Sequence, residues 1–219
     1  MAVRTPSHRA PVSIDLVVLT CRERDVCVLA DSRPVGKQRS LVLPWEALRT
    51  GERLDAIAKR VAKRACGIAP GWIAQAGAFG DGSAHPGSTQ LSVCYIALVP
   101  SPGRVANWLT TQQVSALPER HRRMVASAIE VVRSRIEQSP LAFSLLPREF
   151  TLSELQQTYE TVLGRHLHKA SFRRALQAAF LVEPTGDWRG EGRGRPAQLY
   201  RHAPRRRKGT RRGVRLDLL

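Results

Sequence analysis

The side chains best spaced for chemistry fall in two short stretches. In RTGERLDAIAKRVAKRACGI, residues 49–68, Gly51 and Gly67 bracket a helical run whose apolar side carries Leu54, Ile57, Ala58, Val61, Ala62 and Ala65. The remaining positions carry Arg53, Lys59, Arg60, Lys63 and Arg64 against one acid, Asp55, with Glu52 just before the run. Arg60 and Arg64 lie one turn apart, and guanidinium–phosphate hydrogen bonds are charge-assisted and strong. The pattern fits a phosphorylated ligand, and it fits a solvated surface equally well.

The second stretch is KASFRRALQAAF, residues 169–180. Phe172, Leu176 and Phe180 share one face at helical spacing, with Ala175 and Ala179 beside them. Lys169, Arg173 and Gln177 point the other way, and Arg174 lies on the flank. Just upstream, FTLSELQQTYETVLG sets Thr151 and Glu154 three apart as a capping box, buries Leu152, Leu155, Tyr159 and Leu163, and ends at Gly164. Two such helices joined by GRHLH make a helix-turn-helix candidate, whose second helix enters the major groove with its N-terminal residues at base edges. We assign Lys169, Ser171, Arg173 and Arg174 to that surface. Arginine reads guanine O6 and N7 in bidentate fashion, while Lys169 and Ser171 equally serve phosphates. LVEPTGDWRGEGRGRPAQLYRH then reads as two short strands around a Gly- and Arg-rich turn, a wing from which Arg193 and Arg195 could reach a phosphate or an A·T-rich minor groove. His166 and His168 read as turn contacts rather than metal ligands. Trp188 is a platform or hairpin packing.

The elements that must position these groups follow from hydrophobic pattern. SIDLVVLTC (13–21) and DVCVLADSR (25–33) are strands joined at RERD as a hairpin, and SLVLPWEAL (40–48) is a strand ending at Pro44. GWIAQAGAFG and TQLSVCYIALVP (89–100) are further strands around the loop GDGSAHPGS. Strands, one helix, then more strands predict an α/β sandwich closing near Pro100–Pro102. PERHRRMVASAIEVVRSRIEQS (118–139) spaces Met124, Ala128, Val131 or Val132 and Ile136 as a long amphipathic helix, suited to linking domains or pairing subunits. The expected division is a disordered 1–12, a sandwich over 13–102, a linker with the long helix over 103–140, a winged helix over 141–203, and a basic tail over 204–219 too polar to fold alone.

Composition narrows the partner. Lys and Arg number 35 against 18 Asp and Glu, a net charge of +17 that favours a polyanion, with nucleic acid ahead of an acidic membrane. The 4 cysteines, Cys21, Cys27, Cys66 and Cys94, include no CxxC pair, which argues against a zinc site and for reduced thiols. A Cys21–Cys27 disulfide across the hairpin is the disfavoured alternative. No metal site and no cofactor are expected. The sequence has no apolar run of membrane-spanning length and no signal-peptide h-region, so a cytoplasmic protein is expected.

The first half resembles a Nudix hydrolase domain. The Nudix signature, G-x5-E-x7-R-E-U-x-E-E-x-G-U with U aliphatic, can be laid on residues 46–68, where Glu52, Arg60, Gly67 and Ile68 match. The opening glycine is replaced by Glu46, and the three helical acids by Val61, Arg64 and Ala65. Acids at i, i+3 and i+4 share one helix face and can jointly hold Mg²⁺ against a diphosphate. Here the face carries an apolar group, a cation and a methyl, so scaffold is expected to survive and catalysis to be lost. The ligand candidates are Glu52, Arg60 and Arg64, with no catalytic residue.

SPLAFSLLPREFTLSELQQTYETVLGRHLHKASFRRAL followed by GRPAQLYRH is similar to the C-terminal domain of the Nudix-related transcriptional regulators, the NrtR family. FGDGSAHPGSTQLSVCYIALVP fits the same family's Nudix half, although Ala84 and His85 stand where Arg and Asp are expected. The resemblance spans roughly residues 13–202. It implies an α+β / α/β chain: a Nudix-like α/β/α sandwich followed by a winged helix-turn-helix domain. It further implies a bacterial homodimer that binds a double-stranded DNA operator and senses a nucleotide effector, typically ADP-ribose, near NAD-metabolism genes. Some relatives respond to sugars instead. Two alternatives stand beside a ligand-responsive repressor. One is an active Nudix pyrophosphatase on ADP-ribose-like substrates; the other is a nucleic-acid-binding protein whose first half is only a dimerisation scaffold.

Overall fold

A computed structural model describes residues 11–35, 38–80, 82–101, 107–190, 196–203 and 214. The expected disordered N-terminus therefore lies almost wholly outside the described residues, as do Arg193, Arg195 and most of the basic tail. In chain order the first elements are β1 (Val12–Arg22), β2 (Asp25–Leu29), β3 (Asp31–Val35), β4 (Gln38–Val42), β5 (Trp45–Ala47), α1 (Leu54–Cys66), β6 (Trp72–Phe79), β7 (Leu91–Leu98) and β8 (Trp108–Leu109). The strands β6-β7-β1-β2-β8 make the main sheet, with β5 also paired to β1, while β3 and β4 form a separate hairpin. β1 runs parallel to β7 and antiparallel to β2. The β1–β2 turn places Glu23 (φ 48°) and Arg24 (φ 66°) in the left-handed region, the turn geometry that matches strand twist.

β1 is the central strand, and its alternation sorts the core. Ile14, Leu16 and Val18 point to the layer containing α1, where Ile57, Ala58, Val61, Ala62 and Cys66 are buried. Val17 and Leu19 point to the opposite layer, with Cys94, Ile96 and Leu98 of β7. That layer is covered by α2 (Glu119–Ile136), through Met124, Val125, Ala128, Val132 and Ile136. The long helix expected to link domains or pair subunits also forms the second helical layer of the sandwich. The run DVCVLADSR, expected as one strand, breaks at Ala30, and its second half pairs with β4.

The C-terminal part comprises β9 (Glu149–Phe150), α3 (Leu152–Leu163), α4 (Lys169–Ala179), β10 (Val182–Arg189) and β11 (Ala197–His202). The capping box on α3 is present: the Glu154 amide donates to Thr151 Oγ1 (3.1 Å) and the Thr151 amide to Glu154 Oε2 (2.6 Å). Gly164 closes the helix at φ 68°. The wing hairpin forms with an irregular register between Pro184 and Trp188, and β9 adds a third strand by pairing with β11. β9 was not anticipated, since two residues carry no readable period. Leu155, Tyr159, Phe172 and Leu176 join the same continuous core as α2 and the sheet. Val214, inside the expected basic tail, is buried in that core too. No helix of the described residues is long and apolar enough to cross a membrane.

Candidate nucleic-acid interface and effector face

α4 is held by burial of Phe172 and Leu176 against α3, with Tyr159 edge-on to Phe172 at 5.5 Å between ring centroids. This turns Lys169, Arg173, Arg174 and Gln177 to the solvent. Lys169 and Arg173 make no hydrogen bond or ion pair among the described residues, so their full donor sets face outward. Arg174 only touches Ser171 Oγ (3.4 Å), which also meets His168 Nδ1 (3.2 Å). The four residues assigned to DNA do converge on the first half of α4. Phe180 departs from its expected place in the buried stripe. The helix stops at Ala179, Phe180 takes a left-handed φ of 51°, and its ring swings out to 38% exposure. Trp188 is 55% exposed on β10, which removes hairpin packing as its full account. At the wing base Arg189 donates to Glu154 Oε1 (2.7 Å), tying the hairpin to the cap of α3. His166 lies 3.7 Å from Glu160 and, among the described residues, belongs to no metal-ligand cluster.

The α1 face is arranged differently. Glu46, at the position of the signature's opening glycine, lies on β5 beneath two arginines. It accepts from Arg64 Nη1 (2.8 Å) and Arg60 Nη2 (2.5 Å), and Arg60 also pairs with Glu52 (3.0 Å). Hydrogen bonds from Arg60 and Arg64 pull the Glu46 carboxyl down to about 2. Both candidate phosphate-binding arginines are therefore already partnered. Two polar atoms beside them are buried without a hydrogen-bond partner among the described residues, Trp45 Nε1 and Glu52 Oε2. Such atoms are costly unless another group meets them.

A third cluster escaped the sequence reading. Asp15 of β1, His85 of the 82–90 loop and His121 of α2 come together with all three side chains fully buried. Asp15 Oδ1 accepts from His85 Nε2 at 2.8 Å and lies 3.3 Å from His121 Nε2, though the latter contact is too poorly aimed for a hydrogen bond. Ser13 Oγ donates to Asp15 Oδ2 at 2.6 Å. Burial works against ionisation of Asp15, but His121 and His85 outweigh it and hold the carboxyl well below the usual range. The spacing admits a metal ion, yet the hydrogen bonds argue for a different use. His121 Nδ1 accepts from the Leu43 amide and His85 Nδ1 from the Gly87 amide, both at 3.0 Å. A neutral imidazole accepting at Nδ1 carries its proton on Nε2, where a metal would need a lone pair. The cluster reads as a hydrogen-bonded node. Two signals for it were present: an acid amid the apolar SIDLVVLTC, and His121 in register with Met124, Val125 and Ala128 on a buried stripe.

Comparisons with known proteins bear on both halves. Residues 142–202 match the family model of the NrtR DNA-binding winged helix domain. The ADPR responsive transcriptional repressor NtrR of Acinetobacter baylyi is 28% identical over 205 residues, covering 88% of this chain and 82% of that protein. The crystal structure of Shewanella oneidensis NrtR complexed with a 27mer DNA is similar at TM-score 0.77 and 28% identity, covering 88% of this chain and 94% of that one. A MutT/nudix family protein from Enterococcus faecalis shares the fold at TM-score 0.69 and 17% identity, covering 90% of this chain and 89% of that one. A single relative's architecture thus runs through both halves: the chain is similar along most of its length to the NrtR regulators, and its residues 142–202 match their DNA-binding winged helix domain.

Proposed function

We propose that this protein is a DNA-binding transcriptional repressor, acting as a homodimer on NAD-metabolism genes, whose Nudix-like half binds a nucleotide effector such as ADP-ribose. The proposed division is a sensing domain over 13–102, a connector with α2 over 103–140, and a DNA-binding domain over 141–203. Lys169, Ser171, Arg173 and Arg174 are the proposed operator contacts, joined by Arg193 and Arg195 of the wing. The observation that carries the reading is the outward, uncommitted cationic face of α4 in a helix-turn-helix similar to that of a DNA-bound relative. The test is a fluorescence-anisotropy titration of operator-containing DNA with and without ADP-ribose. Saturable binding released by ADP-ribose is expected; equal affinity for operator and scrambled duplex would sink the repressor reading.

The proposal extends to a protein that is not a hydrolase. A divalent cation on α1 needs several oxygen ligands. The corresponding positions hold Val61, buried against the sheet, together with Arg64 and Ala65. The nearby carboxylates Glu46 and Glu52 are engaged by guanidinium groups, so this residue set does not fit Mg²⁺. What remains suits an anion held by Arg60 and Arg64, with Trp45 Nε1 as a further donor, while Glu52 Oε2 suits a hydroxyl of the same ligand. Incubation with ADP-ribose and Mg²⁺ should give no AMP. Turnover that Glu52→Gln abolishes would establish the enzyme instead.

A further inference from the structure

Among the described residues, α2 is gripped by the N-terminal half at its start and by the C-terminal half at its end. At its start, Arg120 is 2% exposed and spans the loop before β7: it donates from Nη1 to the Thr89 carbonyl (2.9 Å) and Ser92 Oγ (3.4 Å), and from Nε to Ser83 Oγ (3.3 Å), with Nη2 on the Ser83 carbonyl. His121, next in sequence, accepts from Leu43 and faces Asp15. Ser13 links the two residues' surroundings, since its hydroxyl contacts Asp15, Thr89 (3.0 Å) and Ser92 (2.8 Å). About 20 Å further along the helix, Arg133 donates to the Val162 carbonyl at the end of α3 (2.9 Å). Beyond it Glu137 pairs with Arg165 in the turn before α4 (2.9 Å). The chain of contacts also runs outward to the α1 face. Arg64 Nη2 donates to the Trp45 carbonyl (3.4 Å), Trp45 stands edge-on to His85 (4.9 Å), and a Cβ at Gly87 would overlap the Trp45 ring.

We infer that Arg120 and His121 are the positioning residues through which an anion bound at the α1 face alters the seating of α2 and thereby of α4. The inference rests on the proposed repressor reading and deepens it. Displacing Arg64 from Glu46 frees β5 and Trp45; Trp45 cannot move without releasing Gly87 and His85, and these hold the loop that Arg120 clamps. A short, largely buried network of directional bonds has few alternative arrangements, which makes it suited to switch rather than to deform. Both residues lie on α2, on neither the α1 face nor the recognition helix α4.

The test measures three quantities on the full-length protein: ADP-ribose affinity by calorimetry, operator affinity without effector, and the ratio of operator affinities with and without saturating ADP-ribose. The variants are Arg120→Lys, which cannot span the same acceptors, and His121→Asn, which retains an acceptor for the Leu43 amide but leaves Asp15. In the wild type the ratio should lie in the usual range of about 5- to 150-fold, and in both variants it should fall to about twofold or less with the two separate affinities kept. Ser92→Ala, which removes one Arg120 acceptor, serves as the milder variant if either fails to fold, and an intermediate ratio is expected. A wild-type ratio near one would defeat the underlying effector reading. A normal wild-type ratio preserved in all folded variants would defeat this inference alone.

Discussion

The α1 and α4 helices each present arginines at the surface from an amphipathic helix, yet the two faces are in opposite electrostatic states. On α1, Arg60 and Arg64 are clamped by Glu46 and Glu52; on α4, Lys169 and Arg173 have no partner among the described residues. The difference lies outside the helices. β5 delivers Glu46 under α1, whereas α3 and the wing keep their own acids occupied: Glu154 in the cap and on Arg189, Glu183 on Arg201, Glu160 at the Leu167 amide. A cation already paired yields only to a ligand that repays the lost bonds, which suits a selective effector. An unpaired cation meets any phosphate at once, which suits rapid association with DNA.

The largest effect that tests this contrast is on α4. Arg173→Ala is expected to weaken operator binding by ~1–3 kcal/mol without changing dimerisation, read by gel-shift titration beside sedimentation. If Arg173 is instead silent, the uncommitted face is not the reading face. Next comes the scaffold beneath it. Thr151→Ala removes the α3 cap and should cost about 1 kcal/mol, lowering Tm by roughly 2–4 °C in a chain of this size. Operator affinity of the folded fraction should stay nearly constant, since the cap stabilises α3 without touching DNA.

The pH response separates the clamp from the node. Burial, opposed by Asp15, leaves the His121 imidazole below its ordinary 6.5. The groups facing it are Asp15 of β1, His85 of the 82–90 loop and Arg120 of α2 itself, with Cys94 of β7 behind Asp15. A lowered histidine value means that its contribution to stability is present above pH 6.5 and is lost as pH falls below it. The Glu46 clamp has the same sign but a lower window: its contribution is present above 4.5 and is lost as pH falls through about 2. Between pH 7 and 5 the node should therefore loosen while the clamp holds. Thermal melts at both values should show a larger drop for the wild type than for His121→Asn; an equal drop would assign the pH effect elsewhere. The smallest effect is expected for Glu46→Gln. It leaves Arg60 and Arg64 less well paired and should tighten ADP-ribose binding by a few-fold in calorimetry, and an unchanged affinity would remove the α1 arginines from the effector site.

How much was legible beforehand depended on the range of the interactions. The capping box, Gly164 and the Phe172–Leu176 stripe are local, three to four residues apart, and the structure holds them as the sequence implies. Phe180 failed because a helix end is decided by one φ angle, and spacing alone continues the stripe past it. The pairing of Glu46 with Arg60 and Arg64 was missed because the positions, though close in the signature, meet only once β5 joins β1.

The residues alone determined the two amphipathic helix faces, the excess of cations and the scarcity of acids around α1, where Asp55 stands among five basic residues from Arg53 to Arg64. These follow from residue type and period and need no partner. The tertiary structure decided which cations are already satisfied, that the long helix closes the sandwich rather than merely joining domains, and that Asp15, His85 and His121 share one buried site. Those outcomes rest on contacts between positions from 14 residues apart (Glu46 and Arg60) to 106 apart (Asp15 and His121), where pairing is set by strand order and layer packing, which no local pattern encodes.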